Sequence, residues 1–219
     1  MALSKVNFNS LNLTPTASKT VVFNSNNNGI EAGDVGGSMV LISTQTASSS
    51  ATISFTSNID STYPIYLFKF INIHPATDGA EFTINFSTDS GSNYNVAKTT
   101  TFFVAYNAES ESSSGLTYID SLDIAQGTGV ANIFYNVGNE NDESASGTLH
   151  LFNPSSTTFV KHFMSTFNVY NNSGSNGNSV QVDVAGYGNT TSAIDGVQFA
   201  MSSGNIDSGT IKLYGIKGS

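Results

Sequence analysis

Residues 195–219 read DGVQFAMSSGNIDSGTIKLYGIKGS. Val197, Phe199 and Met201 alternate with Gln198, Ala200 and Ser202, and after a polar, glycine-bearing break come Ile211, Lys212, Leu213, Tyr214, Gly215 and Ile216. Alternation with a period of two marks a half-buried strand. Two strands joined by a loop are expected, the second running almost to the terminus. Chain ends ordinarily fray, so a patterned end implies pairing and packing. The expected partners of 211–216 are Val197–Ser202 on one side and an early strand, within 39–57, on the other. Ile211 and Leu213 would face the core, and Lys212 and Tyr214 the other side. Gly215 would mark a bend or a close backbone approach.

The same period governs most of the chain from residue 38 onward. Strands are expected at 39–44, 51–57, 64–73, 81–87, 100–106, 130–137, 147–152, 158–170 and 179–187, with a weaker one at 116–119. Phe82, Ile84 and Phe86 would point inward from one of them; Phe159, Phe163, Phe167 and Val169 would share a face of another. Segment 64–73, PIYLFKFINI, is apolar on both faces, as in a strand central to a packed sheet. About ten short strands, no convincing long helix and no repeat of 20–50 residues predict an all-β fold. The expected architecture is an antiparallel β-sandwich, jelly-roll-like. Residues 1–37 carry scattered apolar positions between the turn signals NSNNNG and GDVGGS. They read either as a first pair of edge strands or as an extended N-terminal arm that attaches to a neighbouring subunit or an assembly. The domain organisation is therefore 1–37 for the arm or edge strands and 38–219 for the sandwich.

Composition narrows the function. Of 219 residues only 11% are charged, the seven basic residues are all lysine, and the net charge is −9. Nucleic-acid binding needs clustered basic residues, so no nucleic-acid partner is expected. The surface must instead be Ser, Thr, Asn and Gly, which suits strand faces and turns. Absence of cysteine removes disulfides, thiolate metal sites and a cysteine nucleophile. No apolar run reaches the roughly 18 residues a membrane helix needs, so no membrane insertion is expected. The opening MALSKVNFNSLNLTPT lacks the apolar core of a signal peptide, which predicts synthesis in a cytoplasm without secretion.

Chemistry-bearing constellations are few. GDVGGS at 33–38 is close to a serine-protease GDSGG, but Val35 stands where the nucleophile would be. His150 and His162 sit in strands on the face opposite the most apolar one, where converging imidazoles would bind a metal if further ligands joined them. DSGSNYN (89–95) and GNENDES (138–144) hold carboxylates and amides suited to calcium, without EF-hand spacing; Asp and Asn also occupy turns for backbone reasons. Tyr63, Tyr66, Tyr94, Tyr106, Tyr118, Tyr170 and Tyr187 are candidate stacking faces for a sugar. No catalytic, cofactor-binding or metal-ligating residue is assigned, no cofactor is expected, and the chain reads as a non-enzyme.

Three stretches carry a resemblance: SFTSNIDSTYPIYLFKFINIHPATDG (54–79), SGTLHLFNPSSTTFVKHF (146–163) and NTTSAIDGVQFAMSSGNIDSGTIKLYGIK (189–217). Together they resemble virion proteins of marine tailed bacteriophages, including cyanophage-like viruses, over about residues 38–217. The ending IKLYGIK is similar to the C-termini of phage tail-fibre and related surface modules. The resemblance implies a structural component of a particle surface, of tail-fibre or adhesin type, with a capsid head-decoration protein as the alternative. A carbohydrate-binding module is a further alternative. It also implies a homo-oligomer with a trimer favoured, other virion proteins as partners through the N-terminal arm, a host-surface glycan as a further ligand, and location in the virion. The turns 89–95, 107–115, 138–146 and 171–178 would face outward.

Overall fold

The structure, a computed structural model, describes residues 19–23, 30–34, 38–172 and 177–218. Two compact units divide the chain, Met1–Ser38 and Met39–Ser219. In the first, β1 (Lys19–Phe23) pairs antiparallel with β2 (Ile30–Asp34), with Val21 opposite Ala32. Residues 1–18, which carry most of the expected arm, and residues 24–29 and 35–37, on which the expected turns NSNNNG and GDVGGS fall, lie outside the described residues.

The second unit runs β3 (Met39–Ser50), β4 (Ile53–Phe55), β5 (Ile65–Pro75), β6 (Ala80–Ser87), β7 (Lys98–Ala108), β8 (Ser114–Tyr118), β9 (Ala131–Val137), β10 (Ala145–Phe152), β11 (Lys161–Asn172), β12 (Gly177–Gly188), β13 (Gly196–Met201) and β14 (Ile206–Ile216). A single 3-10 turn, Asp120–Leu122, is the only helical element among the described residues. All pairings are antiparallel. The larger sheet has the order β3-β14-β5-β10-β11-β12-β7-β8 and the smaller β4-β13-β6-β9. The expected all-β sandwich is what forms, and each strand position read from residue 38 onward overlaps one of these strands.

The sheets pack through phenylalanines. Phe68 of β5 lies edge-on to Phe55 of β4 and to Phe199 of β13, both with ring centroids 5.3 Å away. Phe70 meets Phe82 at 5.8 Å, Phe167 meets Phe134 at 5.0 Å, and Phe163 meets Phe86 at 5.3 Å. Edge-to-face geometry matches the positive rim of one ring to the negative face of the next, and adds to the area each ring buries. The expected inward set Phe82, Ile84 and Phe86 is fully buried.

Wiring follows a rule once the hairpins β7–β8 and β11–β12 are set aside. Successive strands among the remaining eight change sheet at every step but one, β6 to β9, which pair within the smaller sheet. In order of occurrence, one sheet reads first, eighth, third, sixth; the other reads second, seventh, fourth, fifth. First and last strands are therefore neighbours. β14 pairs with β3, as the early-strand expectation required, but its other neighbour is β5. This corrects the expected pairing with Val197–Ser202: β13 lies in the opposite sheet, between β4 and β6. Alternation dictates which side chains face the core and is silent about which strand lies alongside. Residues 202–205 form an arch between sheets, with Gly204 at φ +68° and Asn205 accepting from Ala76 N–H at 3.0 Å.

Two local expectations also need adjustment. Phe159 precedes β11 and is 69% exposed, so only Phe163, Phe167 and Val169 share the buried face. Ser156 Oγ accepts the Phe159 N–H at 3.0 Å and holds that residue in a turn. Ile211 and Leu213 are buried as expected. Gly215 is a close approach: a Cβ there would overlap the Tyr63 ring.

Candidate functional site

Four places in the sandwich unit concentrate polar or reactive groups. The first is an acidic cleft of about 570 Å³ beside the β9–β10 loop, lined by Asn72, His74, Asp142, Glu143, Asp207 and Ser208. Glu143 folds back inside the expected outward turn 138–146 and is 2% exposed. Its Oε2 accepts the Glu140 N–H at 2.8 Å, and its carbonyl accepts from His74 Nδ1 at 2.6 Å. Gly138 leaves room for it, because a Cβ there would overlap the Glu143 carboxylate as it is placed. Glu143 Oε1 is buried without a hydrogen-bond partner. No three His, Asp or Glu side chains among the described residues come together as a metal cage.

The other calcium candidate, 89–95, uses its carboxylate internally. Asp89 Oδ2 accepts from Asn93 Nδ2 at 2.7 Å, and Oδ1 accepts from Ser87 Oγ at 2.7 Å and from Asn93 N–H at 2.8 Å. These donors, Asn93 foremost and then Ser87, hold the Asp89 carboxyl below the ordinary carboxylate range. The loop is an Asp-organised turn.

A groove of about 400 Å³ on the outer face of the larger sheet is lined by His162 and Met164 of β11, Ala185 and Tyr187 of β12, and Thr99 and Thr101 of β7. The His162 and Tyr187 rings lie 6.2 Å apart. Gln126 Nε2 donates to the Thr99 hydroxyl at 3.1 Å and to the Tyr187 hydroxyl at 3.3 Å, while Asn189 Nδ2 holds its oxygen at 2.7 Å. This gives the groove an aromatic wall and an amide rim. His150 does not join it: it stands opposite Met164 and stacks on Phe152 at 6.0 Å.

The tyrosines do not form one platform. Tyr66 is fully buried, its hydroxyl accepting the Asp60 N–H at 2.9 Å, which removes it from the stacking candidates. Burial raises the Tyr66 hydroxyl pKa. Tyr63 packs edge-on against it at 5.8 Å. The hydroxyl of Tyr94 is buried, and Tyr106 lines a separate pocket of about 280 Å³. Tyr118 is 52% exposed and donates to Asp123.

The last place was not singled out in the sequence. Lys98 and Lys161 are fully buried and flank Gly188 across β7, β12 and β11. Lys161 Nζ donates to Phe159 O at 2.6 Å and Thr190 O at 3.1 Å. Lys98 Nζ donates to Asn85 Oδ1 at 2.6 Å and Val96 O at 2.8 Å. Desolvation lowers both ammonium pKa values, that of Lys98 to about 8. The signal was present: Lys98 shares the phase of Phe102 and Val104, and Lys161 that of Phe163 and Phe167.

No protein-family model, curated protein or solved structure matches this chain. No helix among the described residues is long and apolar enough to cross a membrane.

Proposed function

We propose that this chain is a non-enzymatic structural component of a phage particle surface, of tail-fibre or adhesin type, working as a homo-oligomer with a trimer favoured. The observation that carries the architectural half of this reading is the strand wiring. Eight strands that change sheet at every step except β6 to β9, with first beside last, support a jelly roll, an architecture used by viral capsid and lectin domains. Architecture alone does not assign function. The particle assignment rests on the resemblance of residues 54–79, 146–163 and 189–217 to phage virion proteins.

Two further observations favour the reading. Met164, Phe103 and Leu116 project from the larger sheet at 55%, 39% and 73% exposure; exposed apolar side chains on one sheet suit subunit contact. The N-terminal unit is compact by itself, which suits attachment to other virion proteins. The protein would be made in the host cytoplasm and carried in the virion.

Locating the protein in intact particles tests this. Antibody labelling at the tail, with few copies per particle, is the expected outcome. Hundreds of copies over the head would replace the fibre reading with head decoration, and absence from particles would end both. A second reading, recognition of a host-surface glycan, is favoured by the Tyr187 wall and Gln126 rim of the outer groove. A glycan array probed with wild type and Tyr187→Ala is its test, with binding expected only for wild type.

A further inference from the structure

Lys98 opens β7 in the larger sheet, and Asn85 lies on β6 in the smaller, just past the point where pairing with β9 ends at Ile84. Their side chains meet out of water, at 0% and 6% exposure. Every polar atom of the Asn85 carboxamide is engaged. Oδ1 accepts from Lys98 Nζ at 2.6 Å and from Phe86 N–H at 2.9 Å. Nδ2 donates to Tyr94 O at 2.7 Å and Thr128 O at 3.4 Å. A buried lysine normally has a carboxylate beside it. This one has an amide and a carbonyl.

We propose that Lys98 and Asn85 condense into an intramolecular isopeptide bond that ties β7 to β6, and so one sheet to the other. The Nζ lone pair adds to Cγ of Asn85. The Cγ–Nζ bond forms, the Cγ–Nδ2 bond breaks, and Nδ2 leaves as ammonia with a proton surrendered by Nζ. One amine and one primary amide become one secondary amide and ammonia. No oxidant, reductant or co-reactant is consumed.

Four physical features favour the step. The nucleophile must be the neutral amine, and desolvation without a counter-ion brings Lys98 to about 8, from its ordinary 10.5. Negative charge develops on Oδ1 during attack, where the fixed Phe86 N–H already points. Both partners are held in contact, so the encounter is no longer bimolecular. The product also replaces a buried cation lacking an opposite charge with a neutral amide, which relieves its desolvation penalty. Lys161 supplies an internal contrast. It is equally buried, but both its Nζ partners are backbone carbonyls, so it has no carboxamide to condense with.

The test is the intact mass of the full chain, measured denatured. Wild type is expected to be lighter than its sequence by one ammonia, while Lys98→Arg and Asn85→Ala carry their full masses. Trypsin gives a second readout, because all seven basic residues are lysine. Acylated Lys98 resists cleavage, so a fragment spanning 70–161 is expected in place of two. Full mass with cleavage after Lys98 overturns the proposal. So does an ammonia loss that persists in Lys98→Arg, since that places the loss at another residue. The mass is read after denaturation, so the outcome holds even for a variant that folds poorly.

Discussion

The middle of the sandwich and its lysine-bearing end are held together by different physics. In the middle, Phe199 meets Phe68 at 5.3 Å, Phe70 at 5.1 Å and Phe82 at 5.7 Å, all fully or nearly fully buried. Non-directional burial dominates there, and ring geometry refines it. At the other end, Lys98 and Lys161 are just as buried, yet directional hydrogen bonds to oxygens hold them. An aromatic core tolerates modest rearrangement. A buried ammonium does not, because each lost acceptor leaves a charged donor unsatisfied. Burial alone therefore does not say what a position contributes.

The largest expected effect comes from the strand that closes both regions. Truncation after Ser208 removes Ile211 and Leu213, each worth about 1.5–3 kcal/mol of burial, and leaves β3 and β5 without the strand between them. No cooperative thermal unfolding is expected, followed by circular dichroism. A soluble, cooperatively melting product would break the claim that the last strand is integral. Next comes Phe199→Ala, expected to cost about 3–5 kcal/mol by urea denaturation. The exposed Phe159→Ala should stay within about 0.5 kcal/mol. Equal effects at both positions would remove the distinction between core and surface phenylalanines.

That distinction was only partly legible in the sequence. Phase alone places Phe159 with Phe163 and Phe167, because all are odd-numbered. The serine-organised turn before Lys161 ends the strand short of it, and that turn depends on a contact from Ser156. The positions of the strands and their inward faces followed from alternation, since burying one face is what the period records. Strand neighbours did not follow, because β13 and β14 show the same alternation in opposite sheets. The buried lysines carried the right phase but the wrong chemistry for a core position. One acceptor of each, Asn85 and the Thr190 carbonyl, lies on another element that only the tertiary fold brings alongside. The acidic cleft was visible only as a turn, since the inward fold of Glu143 depends on room left by Gly138.

Gly215→Ala sharpens the comparison at the boundary of the packed interior. A Cβ at 215 overlaps the Tyr63 ring, itself edge-on to buried Tyr66. Overpacking of this kind costs about 1–3 kcal/mol, which a shift in urea midpoint would register. An unchanged midpoint would mean Tyr63 moves aside freely and the close approach has no energetic weight.

The smallest effect is a slope. A free Lys98 amine has its folded-state pKa lowered to about 8 against an ordinary 10.5. Between those values the unfolded chain binds more protons than the folded one, so stability rises with pH. One such group contributes at most about 1.4 kcal/mol per pH unit. Lys161 adds in the same direction. Tyr66 and Tyr135, whose folded pKa values lie above the ordinary 10.0, act oppositely once pH passes 10, so the informative window lies between about 8 and 10. If Lys98 is an amide it no longer titrates there, and only Lys161 remains. Asn85→Ala restores a free amine at 98 and should show the steeper rise in urea midpoint. Equal slopes in the two proteins would mean that Lys98 is free in wild type, and the lysine end would then be held by hydrogen bonds alone.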